Sequence, residues 1–330
     1  MDDISHIMTI DLKYLRANGK ISLLNYIRLR FFTKAKHRDP KCARLLDDKE
    51  FVKIYTSVEE NNFGDVLNYR LLEHFKKPYI RAYVKDANFL AIGSILDRLY
   101  VNKRLKQDLS KSVTIFGSGF ISDFSAYVKE KSHTKHEFAR RLNIIGARGE
   151  ITKKRLEEEL GLKLEKVILG DPGLLANLLI DAKKVEKTCD VGIIPHYKDK
   201  KSTALENIKL HKYSHKIIDI SGEVKDTLRE IASCKVIVSS ALHGLICADS
   251  FNIPNRRIVL SENVFGKDYK FNDYYSIYGI GTPNKIDLRS KVLNDGYIEE
   301  IVKEYAVPKA RVEEVCEKLA QAYGKILDID

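Results

Sequence analysis

The sequence predicts an α/β protein made of two parallel-sheet units, with helices on both faces, that meet across a cleft. Three observations carry this expectation. Short β-branched runs alternate with helical stretches, glycine-bearing loops join them, and a polar stretch interrupts the pattern midway.

The first unit is read over residues 51–180. Phe51–Thr56 predicts a strand, and Leu67, Leu71, Leu72 and Phe75 share one face of the helix that follows. Phe89–Ile92, Val113–Phe116, Leu142–Ile145 and Val167–Leu169 are further strands. Each runs into a glycine loop: Gly93-Ser94, Gly117-Ser118-Gly119, Gly146-Ala147-Arg148-Gly149 and Gly170-Asp171-Pro172-Gly173. A charged helix bearing Leu156 and Leu160 stops at Gly161, the residue type that ends helices in a left-handed turn. The polar stretch 181–188 reads as a linker. The same grammar then restarts over residues 189–330, with strands at Asp190–Pro195, Lys216–Ile220, Lys235–Ser239 and Arg257–Leu260. Helices are expected over Val224–Ala232, from the Ser240 region to Phe251, and in a tail over Tyr297–Tyr305 and Arg311–Ile326. Both units are Rossmann-like, and in such sheets ligands sit beyond the carboxyl ends of the strands.

Composition excludes several classes. The 330 residues carry 57 Lys and Arg against 46 Asp and Glu, a formal net charge of +11, with 44% hydrophobic and 31% charged residues. These are the proportions of a folded chain, not of a disordered or fibrous one. No apolar run approaches the roughly 20 residues that a membrane-spanning helix needs. The first dozen residues hold three aspartates and no small-residue cleavage site, so a cytoplasmic chain is expected. Cys42, Cys189, Cys234, Cys247 and Cys316 are scattered and never form C-x-x-C, which argues against a disulfide framework and a zinc ribbon. H-E-x-x-H, G-x-x-x-x-G-K-[ST] and G-x-S-x-G are all absent, which disfavours zincins, P-loop enzymes and serine hydrolases; no bound metal is expected.

The positive charge is concentrated early. Between Lys13 and Arg44 there are ten Lys and Arg and one acid, Asp39. Residues 1–50 read as a basic N-terminal helical extension, either packed on the body or lying on an anionic membrane surface. Without aromatic platforms or a known motif beside the charge, nucleic acid is not an expected partner.

The most informative stretch is Val236 to Leu245. Two serines follow a buried strand and a helix begins at once, so Ser240 is placed to cap it and its first N–H groups form an anion site. Gly244 would let the backbone approach a ligand, and His243 would sit in the first turn beside the anion. The helix dipole should lower its pKa and a bound anion should raise it again, which suits general acid work. Arg148, in a Gly-x-x-Gly loop at a strand end, could grip a carboxylate or phosphate with two parallel bonds. Asn62, Gly64 and Asp65 read either as a helix cap or as polar groups facing the cleft. Gly117 and Ser118 belong to a lone G-x-G, which lacks the third glycine of a dinucleotide fingerprint.

Taken together these elements resemble the polysaccharide pyruvyltransferase family. The resemblance rests on the Asn-x-Gly-Asp loop (Asn62, Gly64, Asp65), the Ala-Arg-Gly-x-x-Thr loop (Arg148, Thr152), Gly170-Asp171-Pro172 and Ile194-Pro195-His196-Tyr197. Ser239 to Leu245, Asn252-Ile253-Pro254 and Lys270-Phe271-Asn272-Asp273-Tyr274-Tyr275 complete it, the last resembling the exopolysaccharide branch. It spans about residues 51 to 280. It implies a GT-B-like fold and transfer of the pyruvyl group of phosphoenolpyruvate onto two hydroxyls of a cell-surface or capsule glycan, or of its lipid-linked precursor. Phosphoenolpyruvate would be a co-substrate, with no cofactor, and the work would proceed in the cytoplasm, at the inner face of the membrane if the acceptor is lipid-linked. His243, Arg148 and Asp65 map to catalysis. Arg148, Lys153, Ser239, Ser240, Leu242, His243, Gly244 and Lys270 map to the donor, and Asn62, Gly64, Gly117, Ser118 and His196 to the acceptor or cleft. Many members carry arginine where this chain has Ala241, so Lys270, Lys153 and Arg256 are the candidate replacement cations. The alternatives are a glycosyltransferase using a nucleotide-sugar and a non-catalytic, anion-binding, membrane-peripheral protein.

Overall fold

A computed structural model of the chain describes residues 51–57, 62–82, 87–97, 112–123 and 142–326. The basic segment Lys13–Arg44, with its expected helix and membrane surface, lies outside these residues. Among the described residues there are two sheets, each wholly parallel.

The first sheet joins β1 (Val52–Ile54), β2 (Tyr79–Arg81), β3 (Phe89–Leu90), β4 (Val113–Phe116), β5 (Leu142–Ala147) and β6 (Ile168–Leu169) in the order β2-β1-β3-β4-β5-β6. The second joins β7 (Cys189–Ile194), β8 (His215–Ile217), β9 (Cys234–Ser239), β10 (Asn255–Val259) and β11 (Ile286–Asp287) in the order β11-β10-β9-β7-β8. The expected α/β class with two parallel sheets is therefore the observed one. Val52, Ile54, Ile115, Phe116, Val191, Ile193, Ile237 and Val238 are buried, as strands covered on both faces require.

Helices fall where the apolar period places them. α1 (Phe63–His74) buries Leu67, Leu71 and Leu72, and Asn62 caps it by accepting from the Gly64 N–H at 3.3 Å. α2 (Glu150–Leu160) ends at Gly161, which is left-handed at φ 66°. α3 (Val224–Ala232) buries Val224, Leu228 and Ile231 and is capped by Glu223. α4 (Leu242–Ser250) is apolar on most sides and is buried. After α5 (Tyr269–Tyr275) and α6 (Asp295–Glu304), the chain closes with α7 (Lys309–Gly324).

Sequence order groups the tail with the second unit; α6 packs there, against β9 and β10, whereas α7 lies mainly against the first. Tyr323 is fully buried there, stacked on Phe75 at 4.7 Å and edge-on to Phe116 at 5.0 Å and Phe89 at 6.1 Å. An aromatic of this size buries its area wherever three partner rings are available, irrespective of chain distance. Among the described residues no helix is long and apolar enough to cross a membrane.

Candidate active site

The site forms where the carboxyl ends of the two sheets face each other. His243 lies in the first turn of α4, which follows β9 after Ser240 and the N-cap residue Ala241. The N–H groups of Leu242 and His243 open this helix, where backbone donors have no partner inside it. The imidazole lies against Gly64 from the opposite half: a Cβ at that position would overlap the ring. Two motifs more than 170 positions apart thus share one contact, and that contact explains the glycine.

Four groups surround His243. Its Nε2 faces Asp171 Oδ2 at 3.9 Å, and neither atom has a hydrogen-bond partner among the described residues. Lys270, Arg148 and His196 are the other charged or titratable groups acting on it. Burial, then Lys270, Arg148 and His196, push the imidazole down to about 3. The direction matches that expected from the helix dipole, but burial and cations cause it. His196 is also held at about 3 by burial, Lys270 and Lys198. Its Nδ1 accepts from the Lys198 N–H at 3.3 Å, and its ring lies 4.3 Å from that of Tyr197.

Lys270 stands out electrostatically. It is only 8% exposed, and among the described residues its Nζ has no hydrogen bond or ion pair. Burial, Arg148 and Arg257 push it down to about 7, with Asp199 opposing. A buried ammonium normally has a paired carboxylate. Here the neighbouring charges are mostly of the same sign, with Arg148, Arg257 and Lys198 set against Asp199, so the locality carries an excess of positive charge. Arg257 went unnoticed in the sequence; it ion-pairs with Asp268 at 2.6 Å while lying over the Phe271 ring at 3.8 Å.

Several expected roles change. Ser240 does not cap α4: its hydroxyl donates to Asp199 Oδ2 at 2.6 Å and accepts from the His196 N–H at 2.8 Å. Ser239 Oγ instead accepts from the Ala241 N–H at 3.0 Å, and it fills the space beside Gly244, so that glycine admits Ser239 rather than a ligand. The two-bond grip expected of Arg148 on a ligand is directed at the protein itself. Its buried guanidinium donates from Nε to Asp273 Oδ2 at 2.8 Å, from Nη1 to Ser94 Oγ at 2.6 Å and from Nη2 to Phe120 O at 2.6 Å.

Asp273 is the hub of that junction. Besides Arg148 it accepts from the Thr152 N–H at 2.8 Å and from Thr152 Oγ1 at 2.7 Å, while Ser276 Oγ accepts from the Glu150 N–H at 2.9 Å. The N-cap residue of α2, Gly149, makes no side-chain cap bond. Residues on and just after α5 therefore supply the missing acceptors from the other half of the chain. Gly149 is required because a Cβ there would collide with the Asp273 backbone.

Asp65 is not the cap of α1. Its buried carboxyl accepts from the Ser57 N–H, burial raises it to about 7, and Oδ2 lacks a partner among the described residues. It is not among the groups acting on His243; the carboxyl beside that ring belongs to Asp171. Asn62 is spent on its cap. Gly117 (φ 77°) packs on Pro172, and the buried Ser118 hydroxyl donates to Ala91 O, so this loop is a packing junction and not a cleft wall. Arg256 turns away to Glu300 and Glu304 of α6 at 3.4 and 2.9 Å; of the three candidate replacement cations, Lys270 is the one that acts on both His243 and His196. Lys153 is half-buried on α2 and is not among the charges acting on His243 or Lys270.

The fold and the site together define a two-sheet α/β protein with a positively charged, histidine-bearing junction between its halves. The family model for polysaccharide pyruvyl transferase matches residues 62–261, and the chain belongs to that family. Over 226 residues it is 25% identical to the succinoglycan biosynthesis protein ExoV of Rhizobium meliloti (strain 1021), covering 68% of this chain and 64% of that protein. Over 122 residues it is 35% identical to a protein of Acanthamoeba polyphaga mimivirus, covering 36% of this chain and 42% of that one. The chain thus spans less than two thirds of the length of either relative. Among solved structures, the wall teichoic acid polymerase TagF aligns over 97% of both chains with a TM-score of 0.47 and 9% identity.

Proposed function

We propose that the protein is a transferase of polysaccharide biosynthesis that moves the pyruvyl group of phosphoenolpyruvate onto two hydroxyls of a glycan, releasing phosphate. The observation that carries this reading is the buried Lys270 ammonium beside His243 and His196, which makes no ion pair among the described residues. Phosphoenolpyruvate brings a carboxylate and a phosphate, the charge this locality lacks. Lys270 and the opening N–H groups of α4 would hold the anion, and Arg148 would add its field from behind. Protonation of the methylene carbon makes C2 electrophilic, a glycan hydroxyl attacks it, and a second hydroxyl displaces phosphate to close the ketal. His243 would deliver the proton. Family membership and the likeness to ExoV support the polysaccharide setting. A lipid-linked acceptor at the inner membrane face would give the basic segment 13–44 a surface to bind, and belongs to the same proposal.

Lys270→Met tests the donor site. Phosphoenolpyruvate at a hundred times its Kd should stabilise the wild type by about 2.7 kcal/mol in a thermal-shift titration, and should not stabilise the variant. Affinity should fall as pH rises past about 7, because Lys270 then gives up the proton that an anion needs. The ligand-free protein should behave in the linked sense. The folded pKa of Lys270 lies below its unfolded value, so wild-type stability rises with pH between about 7 and 10.5, and this component vanishes in Lys270→Met. Stabilisation by UDP or GDP, with none by phosphoenolpyruvate, would favour the nucleotide-sugar alternative.

A further inference from the structure

In the ligand-free protein, burial and the surrounding cations disfavour a cationic imidazole at His243. A proton passed on by the neutral ring would come from a neighbouring acid. The only carboxylate oxygen within 4 Å of a ring nitrogen among the described residues is that of Asp171, on the Gly-Asp-Pro turn after β6. The two Asp171 oxygens do different things. Oδ1 accepts from the Gly173 N–H at 2.8 Å and so caps the short helix Pro172–Leu178, whereas Oδ2 is buried, unpartnered among the described residues, and directed at His243 Nε2.

Resting on the pyruvyl-transfer reading, we propose that Asp171 is the positioning residue of His243, fixing its tautomer and passing a proton through the ring to the donor's methylene carbon. A rotation that shortens the 3.9 Å separation by about 1 Å makes the hydrogen bond. In the step itself the Asp171 O–H bond breaks as Nε2–H forms, while Nδ1–H breaks as the new C–H bond forms. Asp171 ends as carboxylate, His243 ends neutral with its proton on Nε2, and the proton of the attacking glycan hydroxyl restores the pair. Charges on every packed element bear on this. Lys270 on α5, Arg148 after β5 and His196 after β7 face the ring; Arg148, Asp273, Cys247 on α4 and Tyr278 after α5 face the carboxyl. Burial outweighs the Gly173 bond and Arg148 and raises Asp171 to about 6, so the carboxyl can hold a proton close to neutral pH.

Nitrogen-15 NMR of labelled histidine in the ligand-free, full-length chain reads the tautomer directly. In the wild type His243 should carry its proton on Nδ1 at pH 5, where Asp171 donates to Nε2, and on Nε2 at pH 8, where Asp171 accepts. Asp171→Asn keeps an oxygen for Gly173 and presents an amide donor to Nε2, so the variant should show the Nδ1–H tautomer at both pH values. Its kcat with phosphoenolpyruvate should fall by about 100-fold or more with KM changed less than about threefold, and the limb of the kcat–pH profile due to Asp171 should disappear. One unchanging tautomer in the wild type, or an unaltered kcat–pH profile in the variant, overturns the proposal. The NMR arm needs no substrate. A wild type that switches tautomer but never turns over phosphoenolpyruvate would therefore count against the pyruvyl-transfer reading and leave the Asp171–His243 pair standing.

Discussion

His243→Ala is expected to lose at least three orders of magnitude in kcat with phosphoenolpyruvate while remaining folded. General acid–base groups contribute typically 10²–10⁴-fold, and in the proposed relay this residue would also link Asp171 to the donor. The fold should tolerate the change. The side chain is 13% exposed, its Nε2 makes no hydrogen bond among the described residues, and the face it covers is that of Gly64. Kinetics and a thermal melt on the same sample check both halves of the expectation. A variant retaining more than about a tenth of the wild-type kcat would remove His243 from the chemistry.

Asp273→Ala is expected to give the largest loss of stability. Deleting this carboxylate strands the buried Arg148 cation and removes both acceptors that Thr152 uses at the start of α2. Breaking a buried pair by removing one partner typically costs about 3–5 kcal/mol, because an uncompensated charge remains. Denaturant unfolding should show the loss, and the melting temperature should drop by roughly 10 °C. Replacing both partners, as in Arg148→Met with Asp273→Leu, should recover part of that stability, since the buried charge is then absent. It should not recover activity, because Arg148 acts on both His243 and Lys270. A single variant as stable as the wild type would show that the junction is not held by this pair.

What could be read in the sequence was what depends on local pattern. β4 and α3 lie where the strand run and the apolar period of Val224, Leu228 and Ile231 put them, and α2 stops at Gly161 because glycine accepts the left-handed conformation there. β8 spans His215–Ile217, slightly before the expected Lys216–Ile220, because Ile218 and Ile220 are buried beyond the strand end and their apolar character says nothing about pairing. β2, three residues long and at the sheet edge, has too short a pattern to register. The site was legible as residue types but not as contacts. That Asp273 would bind Arg148 across 125 positions, or that Gly64 would receive the His243 ring, follows only from how the halves meet. Ser240 illustrates the limit: a serine before a helix is a good cap by propensity, but a nearby buried carboxylate, Asp199, is a better partner for its hydroxyl. Asp171 reads in the sequence as part of a turn; that its Oδ2 lies beside an imidazole, unpartnered among the described residues, is a property of the packed molecule alone.

Pyruvyl transfer can be followed by supplying the full-length protein with phosphoenolpyruvate labelled with carbon-13 at C2 and a panel of glycan acceptors, with phosphate and product read by NMR. Pyruvyl transfer predicts that phosphate release requires both substrates, and that the labelled vinyl carbon becomes a quaternary ketal carbon bearing a methyl group and two glycan oxygens. The opposite result is no ketal with any acceptor, together with glycosyl transfer to the same panel from a nucleotide-sugar. In that case the positively charged junction around Lys270 would be serving a diphosphate leaving group instead.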